Sequence, residues 1–103
     1  VTDADARIDW ERPAEELGRL VRGCDPSPGA WATRPSGEPV RLFDARLVRE
    51  SPGAAPGTVE GIEGGRLLVA ARGGRLAIGK VRVGAAAKVA AAEAGLEDGE
   101  RLR

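Results

Sequence analysis

Two segments of this 103-residue chain each bury one face of a strand and then, half-way along, change which face they bury. In residues 38–49, Val40 and Leu42 occupy even positions, whereas Ala45 and Leu47 occupy odd ones, so the inward phase slips near Phe43-Asp44. In residues 75–83, Leu76 and Ile78 are even, Val81 and Val83 are odd, and Gly79 stands at the switch. Side chains alternate across a strand with a period of two, so a strand that stays half-buried through such a slip needs a bulge or a sharp coil. Two long strands with the same break predict a small, highly curved β-barrel rather than a flat sheet.

The other elements are built around that pair. Pro13 suits a first helical position, and Glu15 and Glu16 follow in the first turn, where the dipole favours acids. Leu17, Leu20, Val21 and Cys24 then form one apolar stripe, which predicts an amphipathic helix over about 13–24, stopped by Asp25-Pro26-Ser27-Pro28-Gly29. Residues 2–8 read as a short helical turn capped by Thr2 or Asp3. From Ala30 the pattern alternates. Short strands are expected at about 57–62 and 66–72, with hairpin turns at Glu63-Gly64-Gly65 and Gly73-Gly74 and a loop at Glu50–Gly57. The alanine-rich run 85–94 predicts a second short helix, capped by Gly95. The fold class is therefore mainly β with flanking helices, and residues 1–103 read as one domain.

Aromatics are limited to Trp10, Trp31 and Phe43, so aliphatic residues and alanine must fill most of the core. Trp10, between the two predicted helical segments, is expected to be a buried anchor. Cys24, on the apolar stripe, is expected to be a small buried hydrophobe rather than a reactive thiol.

Catalysis finds little support. The chain has no histidine and one cysteine, which removes Ser-His and Cys-His pairs, an internal disulfide and any cysteine-rich metal site. The acid pairs Asp3/Asp5, Glu15/Glu16 and Glu97/Asp98 stand at helix starts or turns, where carboxylates cap and solubilise. The Gly-Gly pairs open no helix and precede no Lys-Ser/Thr, so they do not read as phosphate-cradling loops. No catalytic, cofactor-binding or metal-binding residue is assigned. No apolar run reaches the length of a membrane span and no signal-like segment opens the chain. With no initiating Met, the expectation is a soluble cytoplasmic piece of a longer protein.

Charge is balanced overall, 16 basic against 16 acidic, but not locally. Residues 26–92 hold ten basic and five acidic side chains, while 1–25 and 93–103 are both net acidic. Such asymmetry makes either an anion-binding face or simply a solvated surface. In strand phase, Arg41, Arg46, Lys80 and Arg82 point away from the core, with Arg49 and Lys88 at their margin. If they converge, these six form a phosphate-contacting patch.

The segment Ala6–Thr33, ARIDWERPAEELGRLVRGCDPSPGAWAT, resembles the opening of the C-terminal domain of methionyl-tRNA formyltransferases. Val40-Arg41-Leu42-Phe43, Ala55-Pro56-Gly57-Thr58 and Gly99-Glu100-Arg101-Leu102 follow in the family's order. The resemblance implies an OB-like barrel that helps to hold initiator tRNA through basic contacts. It implies a parent enzyme that transfers a formyl group from 10-formyltetrahydrofolate to the methionyl amino group. Folate and chemistry would belong to an N-terminal catalytic domain of the same polypeptide, so this chain alone is expected to hold no cofactor and to be no enzyme. The alternative is the same accessory domain in a formyltransferase that acts on a small amine, such as a nucleotide-linked sugar. The chain departs from the family pattern at Asp44, where a basic residue is frequent, and at Gly84–Val89, where two lysines are replaced by alanine. Arg46 and Arg49, conversely, stand where the family often carries acids.

Overall fold

The computed structural model describes residues 2–103. The chain opens on a single turn in which the Ala6 amide donates to the Thr2 carbonyl (3.1 Å). Thr2 and Asp5 cap it reciprocally: the Asp5 amide donates to Thr2 Oγ1 (3.3 Å) and the Thr2 amide donates to an Asp5 carboxylate oxygen (3.2 Å). Helix α1 follows at Ala14–Cys24, with Pro13 in extended conformation just before it. Leu17, Val21 and Cys24 are buried along its predicted stripe. Leu20 packs partly buried beside them.

Six strands follow among the described residues: β1 (Ala30–Thr33), β2 (Pro39–Val48), β3 (Val59–Glu63), β4 (Arg66–Ala71), β5 (Gly74–Val83) and β6 (Val89–Ala90). They form one antiparallel sheet in the order β1-β2-β5-β4-β3, with β6 on β5. β3 and β4 shift register between Val59 and Ile62 and turn at Gly64-Gly65. The next turn is tighter than the sequence suggests, because Gly74 already pairs with Ala71 as the first residue of β5.

The two phase slips coincide. Phe43 pairs with Lys80 and Ala45 with Ile78, so Asp44 and Gly79 face each other in an unbroken register. No extra residue is inserted. Instead Asp44 takes a left-handed φ of 56°, a conformation that Asp tolerates better than most residues. Its amide donates to an Asp25 carboxylate oxygen (3.0 Å), and its own carbonyl and carboxylate accept from Arg66 (2.8 and 3.0 Å). The carboxylate occupies the space where a Cβ on residue 79 would stand, which is why β5 carries glycine there. Both strands therefore turn over together: Val40, Leu42 and Val81 enter the core before the bend, and Ala45, Leu47, Leu76 and Ile78 enter it after.

The alanine-rich run is the main departure from expectation. No second α-helix forms at 85–94; Val89-Ala90 adds β6 to β5 opposite Lys80 and Val81, and Ala91–Glu93 makes one turn of 3₁₀-helix. β4 pairs with β5 only as far as Ile78, so the rest of that edge offers unpaired backbone groups, and satisfying them outweighs the high helix propensity of alanine.

The strand path is open, since β1 and β3 do not pair with each other. The terminal segment 99–103 lies between them. The Gly99 amide donates to the Val59 carbonyl, the Val59 amide to the Glu100 carbonyl, and the Leu102 amide to the Gly57 carbonyl (2.7–2.8 Å). On the other side Thr33 and Arg103 exchange two backbone bonds of 2.7 and 2.8 Å. A bidentate ion pair fixes the crossing, with Arg34 Nε and Nη2 donating to the two Glu100 carboxylate oxygens at 2.7 and 2.9 Å. Those bonds hold the Glu100 carboxyl below the usual carboxylate range and raise the Arg34 guanidinium above its ordinary value. Leu102, between the two paired residues, is buried in the core.

Trp10 is 7% exposed, as its place between turn and helix predicts. Its indole N–H is buried without an acceptor among the described residues. Cys24 is buried as expected. Among the described residues, no helix is long and apolar enough to cross a membrane.

Candidate nucleic-acid interface

The outward face of β2 and β5 brings four of the six sequence-selected cations to one place. Arg41 pairs directly with Arg82, and Phe43 pairs directly with Lys80. Lys88, just before β6, carries its ammonium over the Phe43 ring, 3.9 Å from the centroid. Directly opposed like charges on a sheet repel, so this row is held at a cost that a bound anion would remove.

The four differ in what they can still bind. Lys80 and Arg82 are exposed, and neither has a carboxylate partner among the described residues. Lys88 is half-buried by its contact with Phe43, an arrangement that fixes the ammonium without neutralising it. Arg41 departs from the expected free outward cation. Its Nη1 donates to the Gly29 carbonyl (2.8 Å) and its Nη2 lies 3.2 Å from an Asp3 carboxylate oxygen. The 25–29 loop covers the outer face here, so part of that guanidinium is committed to holding the loop.

Phe43 explains the local arrangement. Its phase points it outward, yet it is 2% exposed, sealed by Gly29 on one side and by Lys88 on the other. Sequence phase alone gave no sign that an outward aromatic would be covered by the loop after α1.

Arg46 and Arg49 lie apart from this row. Arg46 is exposed beyond the bend, where it pairs with Ala77. Arg49 follows β2 and approaches Glu15 of α1 at 3.9 Å, with both side chains mostly solvated. The bend at Asp44 separates them from Arg41, Lys80 and Arg82. Among the described residues, no group of three or more His, Cys, Asp or Glu side chains is placed to hold a metal ion.

The sequence model of the family described as formyl transferase, C-terminal domain, matches residues 1–95. The chain belongs to that family. Methionyl-tRNA formyltransferase of Saccharopolyspora erythraea is 36% identical over 103 residues, covering 96% of this chain and 33% of that protein. The enzyme of the same name from Dinoroseobacter shibae is 49% identical over 61 residues, which is 59% of this chain and 20% of its own length. The formyl transferase C-terminal domain described here thus spans a third or less of those relatives. Among solved structures, HypX from Aquifex aeolicus in complex with tetrahydrofolic acid superposes with a TM-score of 0.75 at 24% identity, over 100% of this chain and 21% of that one. A HypX variant gives 0.71 at 26% identity over 89% of this chain and 17% of its own. The likeness to HypX is one of fold.

Proposed function

We propose that this formyl transferase C-terminal domain is the tRNA-holding module of a cytoplasmic methionyl-tRNA formyltransferase, and that residues 1–103 act as one OB-like domain. The parent protein would use 10-formyltetrahydrofolate to formylate the methionyl amino group on initiator tRNA, with folate and chemistry in an N-terminal domain. The observation that carries the reading is the cross-strand row of Arg41, Arg82 and Lys80 with Lys88 beside it. Lysine and arginine gathered on one rigid face meet the phosphate backbone without reading sequence. Arg82, Lys80 and Lys88 make the main contacts, Arg41 contributes charge from behind, and Arg46 and Arg49 contact phosphates farther along the strand. The methionyl-tRNA formyltransferases among the relatives favour this acceptor over a small amine.

The test is a fluorescence-anisotropy titration of initiator tRNA with this chain at low salt. Saturable binding is expected, weakening as log salt rises with a slope set by the roughly three to five phosphates engaged. Arg82→Glu and Lys80→Glu should each weaken it about tenfold for initiator and elongator tRNA alike. No binding at high micromolar protein overturns the proposal for this chain.

A further inference from the structure

Residues 7–11 and 101–103 meet at a cleft of about 760 Å³. No residue of the basic row lines it, although Arg7 packs over Trp31, the cross-strand partner of Arg41. We propose that this cleft is a second anion site, built to take a phosphate ester.

Its cations arrive from two segments far apart in sequence. Leu102 is 1% exposed, so in the extended terminal segment Arg101 and Arg103 leave on the opposite face, about 7 Å apart. Arg7 stands between buried Ala6 and Ile8 and projects outward in the same way, with its guanidinium over the Trp31 ring at 5.0 Å. All three line the cleft. None has a carboxylate within ion-pair distance among the described residues, although most other arginines of the chain do. Arg101 uses only Nε, which donates to the Pro56 carbonyl at 3.1 Å, and keeps its two terminal nitrogens.

Two acids share the lining, Asp9 and Glu11. Asp9 is engaged within its own turn: one oxygen accepts from the Glu11 amide (3.0 Å) and the other lies 3.8 Å from Arg12. Both acids keep their charge, so the cleft sets three side-chain cations against two side-chain carboxylates. Charged side chains supply much of the lining, with Pro35 and Pro56 beside them, and Ile8, Trp10 and Leu102 lie buried behind. The volume lies in the range of small-ligand sites. Guanidinium forks approaching from two directions suit the several oxygens of a tetrahedral phosphate better than the single plane of a carboxylate.

The phosphate can come from a free phosphorylated molecule or from a nucleic-acid strand, and the site does not depend on the tRNA reading. The experiment is an amide-resolved NMR titration of this chain with pyrophosphate, against sodium chloride of equal ionic strength, and then with a ten-nucleotide RNA. Pyrophosphate is expected to shift the amides of 7–11 and 99–103 to saturation. The double variant R101Q/R103Q should weaken that binding at least tenfold, Glu11→Gln should tighten it, and Arg82→Gln should leave it unchanged. Arg7→Gln, which touches no backbone pairing of the terminal segment, repeats the test should the double variant unfold. Saturation by RNA alone assigns the phosphate to a strand; saturation by pyrophosphate with RNA shifting only the β5 amides assigns it to a small molecule. Shifts equal to the chloride control with both ligands, or shifts undiminished in folded variants, overturn the site.

Discussion

Asp44 and Gly79 show how much a pair of residues can decide. A methyl group on residue 79 would meet the Asp44 carboxylate, so Gly79→Ala must push that carboxylate away and break its bond to Arg66. A loss of about 1–3 kcal/mol is expected, the range for overpacking a well-filled site. On an Asp44→Gly background the methyl meets no carboxylate and the left-handed φ costs nothing, so the same substitution should be much cheaper. A double-mutant cycle by urea denaturation measures that coupling, and additive losses would show that the two residues do not share the bend. Trp10 is the other decisive residue. Trp10→Ala should cost about 3–5 kcal/mol, as buried aromatic truncations do. Trp10→Phe should cost far less, because it keeps most of the apolar area and removes a donor that has no acceptor. Equal losses in the two variants would mean that the indole N–H is satisfied in solution.

Among the elements, the outcome follows where each segment's backbone bonds go. Helix α1 was legible because its apolar stripe and flanking prolines act locally and agree. The run 85–94 was misread because its composition favours helix while the open edge of β5, invisible in that stretch of sequence, offers it a ladder. The coincidence of the two slips was legible only in part: each break shows in its own strand, but that they face each other is a matter of register. For the candidate interface, phase placed Lys80 and Arg82 on the outside. It could not show that Arg41 is tied to the 25–29 loop or that Arg46 lies past the bend. The terminal segment gives the element-scale prediction. Glu100 is held below its ordinary carboxylate value by Arg34, so the pair adds stability above the unfolded value near pH 4.5, and that stability is lost as pH falls through the lower folded value. Glu100→Gln should lower stability at pH 7 by about 1–3 kcal/mol, with Glu38 left as a weaker partner for Arg34 at 3.1 Å. The difference from wild type should shrink as the pH is taken from 5 towards 2. A difference independent of pH would rule out the ionised pair as its source.

At the scale of the molecule, the described residues supply a curved sheet face that carries the basic row. Formyl transfer by the purified chain should not exceed a catalyst-free control, and turnover above that level would contradict the accessory role. The way the sheet is completed has a bearing on the order of folding. The segment 99–103 joins β3 to β1, partners distant from it in sequence, whereas β4 and β5 are joined by a tight turn and β3 and β4 by another. Contacts that close long loops are made after local ones have reduced the entropy of the chain. The hairpins should therefore be formed in the transition state for folding, while the Arg34–Glu100 clasp is still open. Substitutions at Glu100 would then leave the refolding rate nearly unchanged and raise the unfolding rate by most of their equilibrium effect, giving φ-values near zero in stopped-flow measurements. The lifetime of the native state, rather than its speed of formation, would be set by its last five residues.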